Sequence, residues 1–359
     1  MIPPIKSALA LGLCAASAMA LAACSNEGAA PGNQTARAGI WSAGSSTVFP
    51  FATRVAENFA RMSGSSAPRV ESLGTGGGIQ AFCAGVGPST PDIANASRPM
   101  KQSEFDRCVE NGVTDIVELK IGYDGIVVAT ARTGATFDLK LQDLYMGLAK
   151  QVPGADGQFV ANPATTWNAV NPALPNQRIQ VYGPPPTSGT RDAFLELGMA
   201  PAGKLVPAVA ALESDKTRFE TITHTLREDG AWIDSGENDN AIVQTLTRTP
   251  GSLGVFGFSF LEQNMDTVKA ETIDGVSPTA DTIASGAYPL SRSLYIYVKK
   301  AHIGVIPGLQ QFVQEFLSEG SAGKGGYLAD RGLIPLPEDQ LMAQRATIAA
   351  MTPMARPAK

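Results

Sequence analysis

The chain has 359 residues, is 44% hydrophobic and 17% charged, and carries a formal net charge of −5. That length suffices for two domains, and that composition allows a sizeable core and excludes wholesale disorder. The acidic balance, with no basic stripe, excludes nucleic acid and an acidic membrane surface as partners. It leaves open a small anion, which a buried site holds with local dipoles and a few cations.

Residues 1–23 read as a signal peptide. Lys6 is a minimal basic n-region, and the stretch from Ala8 to Ala23 is small and apolar but short for a membrane span. It ends in Leu21-Ala22-Ala23-Cys24, which resembles the bacterial lipobox, where Cys24 is lipidated and becomes the mature N-terminus. The alternative is a secretory signal cut after Ala18-Met19-Ala20, with Cys24 incidental. Residues 24–39 are largely polar and Gly/Ala/Pro-rich, as in a flexible tether. With Cys14 in the signal and Cys24 at the lipid site, Cys83 and Cys108 remain. An even pair in an oxidising compartment is expected to form a disulfide, two buried free thiols being the other reading.

The elements follow in chain order. Residues 40–43 form a first strand. Residues 50–62 form a helix, with Phe51, Val55 and Phe59 at i, i+4 and i+8 and Pro50 in the first turn. Strands at 69–73 and 92–96 flank a helix at 78–86, and Ser103 caps a helix at 103–108. Strands are expected at 117–121 and 125–130, the latter almost wholly apolar. A helix at 138–148, a strand at 178–182 and a helix at 192–197 come next. Then follow a helix at 240–248, strands at 252–258 and 293–298, and helices at 309–318 and 338–350. The tail from Met351 is expected to fray. This βαβαβ rhythm predicts an α/β fold with parallel sheets and helices on both faces.

Three segments rich in Ser, Thr and Gly precede helices: Ala43-Gly44-Ser45-Ser46-Thr47, Leu73-Gly74-Thr75-Gly76-Gly77-Gly78 and Thr187-Ser188-Gly189-Thr190-Arg191. Hydroxyls and glycine N–H groups at a helix N-terminus form an anion-binding concavity. One such segment alone reads as a helix cap. Here Ser46, Thr75, Ser97 and Ser188 each follow a predicted strand, where ligands of open α/β sheets sit, so together they predict one oxyanion held between helix ends. Gly74 to Gly78 lacks the Gly-Lys-Ser/Thr of a nucleotide loop, and Gly323-Lys324-Gly325 reads as a surface turn. His224 and His302 are far from any catalytic or metal motif and read as structural or surface residues. Glu237 and Asp239 read as a turn and cap, and Trp41, Trp167 and Trp232 as packing residues. No cofactor or metal is called for.

Several motifs, taken in order, resemble one family. They are Gly44-Ser45-Ser46-Thr47-Val48-Phe49-Pro50, Gly74-Thr75-Gly76-Gly77-Gly78, Ala96-Ser97-Arg98-Pro99-Met100, Tyr123-Asp124-Gly125-Ile126 and Thr187-Ser188-Gly189-Thr190-Arg191-Asp192-Ala193-Phe194. Glu237-Asn238-Asp239-Asn240, Pro250-Gly251-Ser252-Leu253-Gly254-Val255 and Asn264 extend the series. The chain is similar to the periplasmic phosphate-binding proteins of bacterial phosphate ABC importers from about Trp41 to Pro337.

The resemblance implies a type II periplasmic-binding fold, with two Rossmann-like α/β domains joined by crossing strands. Residues 40–123 and 289–359 would form domain one and 124–288 domain two, with hinges near Asp124 and Tyr288. Phosphate would be trapped between them by Ser46, Thr47 and Thr75 on one side and Ser188, Gly189 and Thr190 on the other. Two family features are absent: the carboxylate after the third strand is Ser97 here, followed by Arg98, and the arginine four residues before the Ser-Gly-Thr turn is Pro184. The expectation is that Arg98 or Arg191 supplies the cation and Asp124 the acceptor. Asp124 in a backbone or domain-crossing hydrogen bond, and Arg191 paired with Asp192 or Glu196, are the competing readings. The implied protein is no enzyme. It is an exported, lipid-anchored monomer of the periplasm or cell envelope that delivers phosphate to an importer permease. A phosphatase on the same scaffold, or a binding protein for another oxyanion such as sulfate, are the rivals.

Overall fold

The computed structural model describes residues 39–236 and 239–358. The expected signal peptide, the lipidation site Cys24, the tether through Ala38 and the turn residue Glu237 lie outside the described residues. A single nine-stranded sheet organises the described chain. Numbering only its strands, β1 is Trp41–Gly44, β2 Arg69–Ser72, β3 Ile93–Ala96, β4 Ile116–Ala131 and β5 Val181–Gly183. The remainder are β6 (Trp232–Asp234), β7 (Leu253–Gly257), β8 (Val268–Ala270) and β9 (Ser291–Lys299). They lie in the order β2-β1-β3-β9-β4-β7-β5-β6, with β8 also beside β4.

At one end β1 runs parallel to β2 and β3, and at the other β5 runs parallel to β6 and β7. Between them β4 and β9 are antiparallel. β4 follows β9 as far as Gly125, then pairs with β7 from Ile126 onward. One strand therefore belongs to both halves of the sheet and changes partner one residue after Asp124. Nearly all its side chains are buried, as expected of a strand covered on both faces.

The two strands expected at 117–121 and 125–130 are thus one. The Gly-Tyr-Asp stretch reads as a break, yet Tyr123 stays paired, its N–H donating to the Ile334 carbonyl at 2.8 Å and its carbonyl accepting from the Ile334 N–H at 2.9 Å. Gly122 permits that approach, because a β-carbon there would lie 2.8 Å from the Ile334 oxygen.

The helix Phe49–Ser63 buries Phe51, Val55 and Phe59 on the predicted stripe and ends at Gly64, which is left-handed at φ 69°. Each of those side chains contributes about 1.5–3 kcal/mol of burial free energy. The helix Gly74–Phe82 begins four residues before the expected start, so the glycine run lies inside it. A β-carbon at Gly78 would fall 2.3 Å from the Gly44 α-carbon, so the helix rests directly on β1. Cys83 and Cys108 form the expected disulfide, joining this helix to the helix Gln102–Glu110.

Four further expectations need correction. Ser103 lies within its helix; the cap is Lys101, whose N–H donates to Glu104 Oε2 at 2.8 Å. Residues 138–148 open as a short strand, Asp138–Leu139, because Asp138 pairs with Thr272 before the helix Leu141–Leu148 begins. The helix after Ser188 passes through a π turn, Leu195–Met199, and continues as Ala200–Lys204. The tail is tied down, with the Met354 N–H on the Ile116 carbonyl at 2.7 Å and Arg356 paired with Asp106 at 2.7 Å. His302 is buried between the Asp92 carboxylate (2.6 Å) and the Val86 carbonyl (2.8 Å), a structural role.

Candidate functional site

The site is built from two turns that follow strands in opposite halves of the sheet. After β1, Ser45 serves the helix behind it: its carbonyl accepts from the Phe49 N–H at 3.0 Å and its hydroxyl faces the Val48 N–H at 3.4 Å. Its own N–H donates to Asn95 in β3 at 2.9 Å. The N–H groups of Ser46 and Thr47 have no partner among the described residues. After β5, Ser188 caps the helix Gly189–Phe194, its hydroxyl accepting from the Thr190 N–H at 3.3 Å. The Gly189 N–H, at the first helical position, is likewise without a partner among the described residues.

These turns face each other, since a β-carbon at Gly189 would stand 3.6 Å from the Ser46 carbonyl oxygen. Between them is a cleft of about 230 Å³ whose lining includes Thr47, Asp124, Ser188, Gly189, Thr190, Asp239 and Arg331. Each turn thus brings to the lining one residue whose N–H has no partner among the described residues, Thr47 and Gly189, an arrangement that suits an anion; Ser46, expected in the site, is outside this lining.

Asp124 sits at the base of the cleft, 8% exposed. Burial pushes its carboxyl above the usual carboxylate range; Arg292 opposes the rise and Glu196 adds to it. The register of β4 and β9 places Arg292 opposite Asp124, with Nε 3.3 Å from Oδ2. The same guanidinium donates to Glu196 in the π turn and to the Thr47 hydroxyl. Arg292 stands behind the lining rather than in it. Asp192, in the helix after Ser188, also has its carboxyl pushed up, first by burial and then by Glu196.

Other expected site residues lie elsewhere. The Thr75 and Ser97 hydroxyls are 3.0 Å apart and bond each other, outside this lining. Arg98 is held by both Glu104 oxygens at 2.8 and 2.9 Å. Arg191 pairs with Asp234 at 2.9 Å, not with Asp192 or Glu196, and stacks over Trp232 at 4.7 Å. Both arginines therefore spend their charge on nearby carboxylates instead of the cleft. None of the three tryptophans lines it.

Sequence reasoning passed over Arg292, although it is the lone charge in residues 288–298. It read Asp239 as a cap; the residue opens the helix Asp239–Arg248, and its Oδ2 accepts from the Gly257 N–H at 3.1 Å at the cleft wall. Arg331 carries no local sequence signal. The lining thus sets three carboxylates, Asp124, Asp239 and Asp330, against one guanidinium. Such a lining favours an anion that still carries protons, whose hydroxyls donate to carboxylates, over one that carries none. Among the described residues no cluster of His, Cys, Asp and Glu is arranged to hold a metal, and no helix is long and apolar enough to cross a membrane.

A family model, the PBP superfamily domain, matches residues 29–320. Protein SphX of Synechococcus elongatus is 31% identical over 84% of this chain and 78% of its own length. The phosphate-binding protein PstS of Staphylococcus saprophyticus is 29% identical over 85% of this chain and 82% of its own. Among solved structures, that of a possible phosphate binding protein from Planctomyces limnophilus superposes with a TM-score of 0.68 at 27% identity. It covers 88% of this chain and 99% of that one.

Proposed function

The chain belongs to the PBP superfamily and has the type II periplasmic-binding fold, and from that membership we propose that it binds inorganic phosphate in the cleft and delivers it to an ABC importer. One observation carries the reading: two helix-capping turns from opposite halves of the sheet meet across the cleft with unpartnered N–H groups. Ser46, Thr47, Ser188, Gly189 and Thr190 supply the donors. Charge-assisted bonds of this type are worth roughly 1.5–3 kcal/mol each, so a few suffice for tight binding. Thr75 and Ser97, which are outside the lining, join on closure. Arg292 orients Thr47 and Asp124 from behind. The protein carries its anion without transforming it. It works outside the cytoplasm, with the segment before Gly39 as signal and lipid tether.

Asp124 accepts the proton of hydrogen phosphate and so separates phosphate from sulfate. Calorimetric titration of the chain from Ser25 onward, stripped of ligand, is expected to show micromolar or tighter binding of phosphate and arsenate and weak binding of sulfate. Asp124→Asn is expected to narrow the gap between phosphate and sulfate at least tenfold, the value of one such bond. Tight binding of sulfate with none of phosphate would replace the ligand and keep the cleft. Unchanged selectivity in Asp124→Asn would remove Asp124 from the role.

A further inference from the structure

We infer that Arg331 is the cation that meets the bound anion directly, a ligand contact supplied by the C-terminal segment rather than by either serine-rich turn. The inference rests on the phosphate reading and adds the residue that replaces the arginine missing at Pro184.

Arg98, Arg191 and Arg292 are each bound to carboxylates, and none lies in the lining. Arg331 does lie in it, exposed, and its side chain makes no hydrogen bond or ion pair among the described residues. Asp330, its neighbour, is also in the lining, yet no ion pair joins the two.

The backbone under Arg331 is fixed while its side chain is free. It ends a 3-10 turn, Ala329–Arg331, in which the Arg331 N–H donates to Leu328 at 3.0 Å and the Gly332 N–H to Ala329 at 2.9 Å. Gly332 is left-handed at φ 95°, which reverses the chain toward Ile334. Ile334 is bonded in both directions to Tyr123, the residue before Asp124. The turn is therefore pinned to the crossing strand beside the buried acceptor. A long side chain on a rigid turn reaches into the cleft without moving the main chain, and a guanidinium matches a tetrahedral oxyanion with two parallel N–H groups.

The test measures phosphate affinity by calorimetry in the wild type, Arg331→Gln and Arg331→Lys, with melting curves alongside. Arg331→Gln is expected to melt like the wild type and to bind phosphate at least about tenfold more weakly. Arg331→Lys should recover part of the loss, since it keeps the charge and lacks the fork. Arg331→Gln within twofold of a phosphate-binding wild type would overturn this inference and leave the function standing. A wild type that binds neither phosphate, arsenate nor sulfate would overturn both.

Discussion

Arg292 engages three groups with one guanidinium: Asp124, Glu196 and the Thr47 hydroxyl. Its side chain is 9% exposed and that of Asp124 12%, so each charge is withdrawn from water and depends on the other. Removing one partner leaves the other buried and uncompensated. Arg292→Gln is expected to destabilise the protein by about 3 kcal/mol, read as a lower denaturant midpoint at unchanged slope. Adding Asp124→Asn should restore part of that loss, because no carboxylate then remains to be paired. Equal stabilities for Arg292→Gln and the wild type would show that the pair contributes nothing net.

Elements here are set by what they pack against as much as by their own residues. β8 hands over to a short strand, Thr272–Ile273, through Glu271, which is 1% exposed. One of its oxygens accepts from the Phe137 N–H at 2.6 Å; the other has no partner among the described residues. Burial pushes its carboxyl from 4.5 up to about 7, although the Phe137 N–H and Lys269 oppose the rise. The folded chain therefore holds this proton more tightly than the unfolded chain. The contribution to stability is full below pH 4.5 and is lost as pH rises through about 7. Glu271→Gln should melt close to the wild type under acidic conditions and above it once the pH passes about 7, where the wild type carries a buried charge. Parallel melting-temperature curves across that range would refute this account. The glycine run 74–78 belongs to the same scale: it reads as a loop, yet glycine is what allows the helix to lie on β1.

At the scale of the whole molecule, the two parallel ends of the sheet are joined through β4 and β9, and the cleft opens beside the point where β4 changes partner. We expect residues 40–123 with 289–359 to move as one body and 124–288 as another, flexing near Asp124 and Tyr288. Small-angle scattering should show a smaller radius of gyration with phosphate bound than without. Identical curves would mean that the anion is held without closure.

The serine-rich turns, their place after strands and the apolar stripe of Phe51, Val55 and Phe59 were legible in the sequence, because caps, strand ends and helical spacing are local properties written in a few neighbouring residues. So was the cysteine pair, since few pairings were left open. Local chemistry by itself determined an α/β chain able to hold an oxyanion. Which charges face the cleft was decided only by the tertiary structure. Arg98 and Arg191 stand beside the right motifs, but Glu104 and Asp234 reach them first. Arg292 and Asp124 are 168 positions apart in sequence and meet because two antiparallel strands bring them into register. Arg331 reaches the cleft because Ile334 pairs with Tyr123 on the crossing strand. Charge partners over such separations follow from strand pairing, which no local window of sequence encodes.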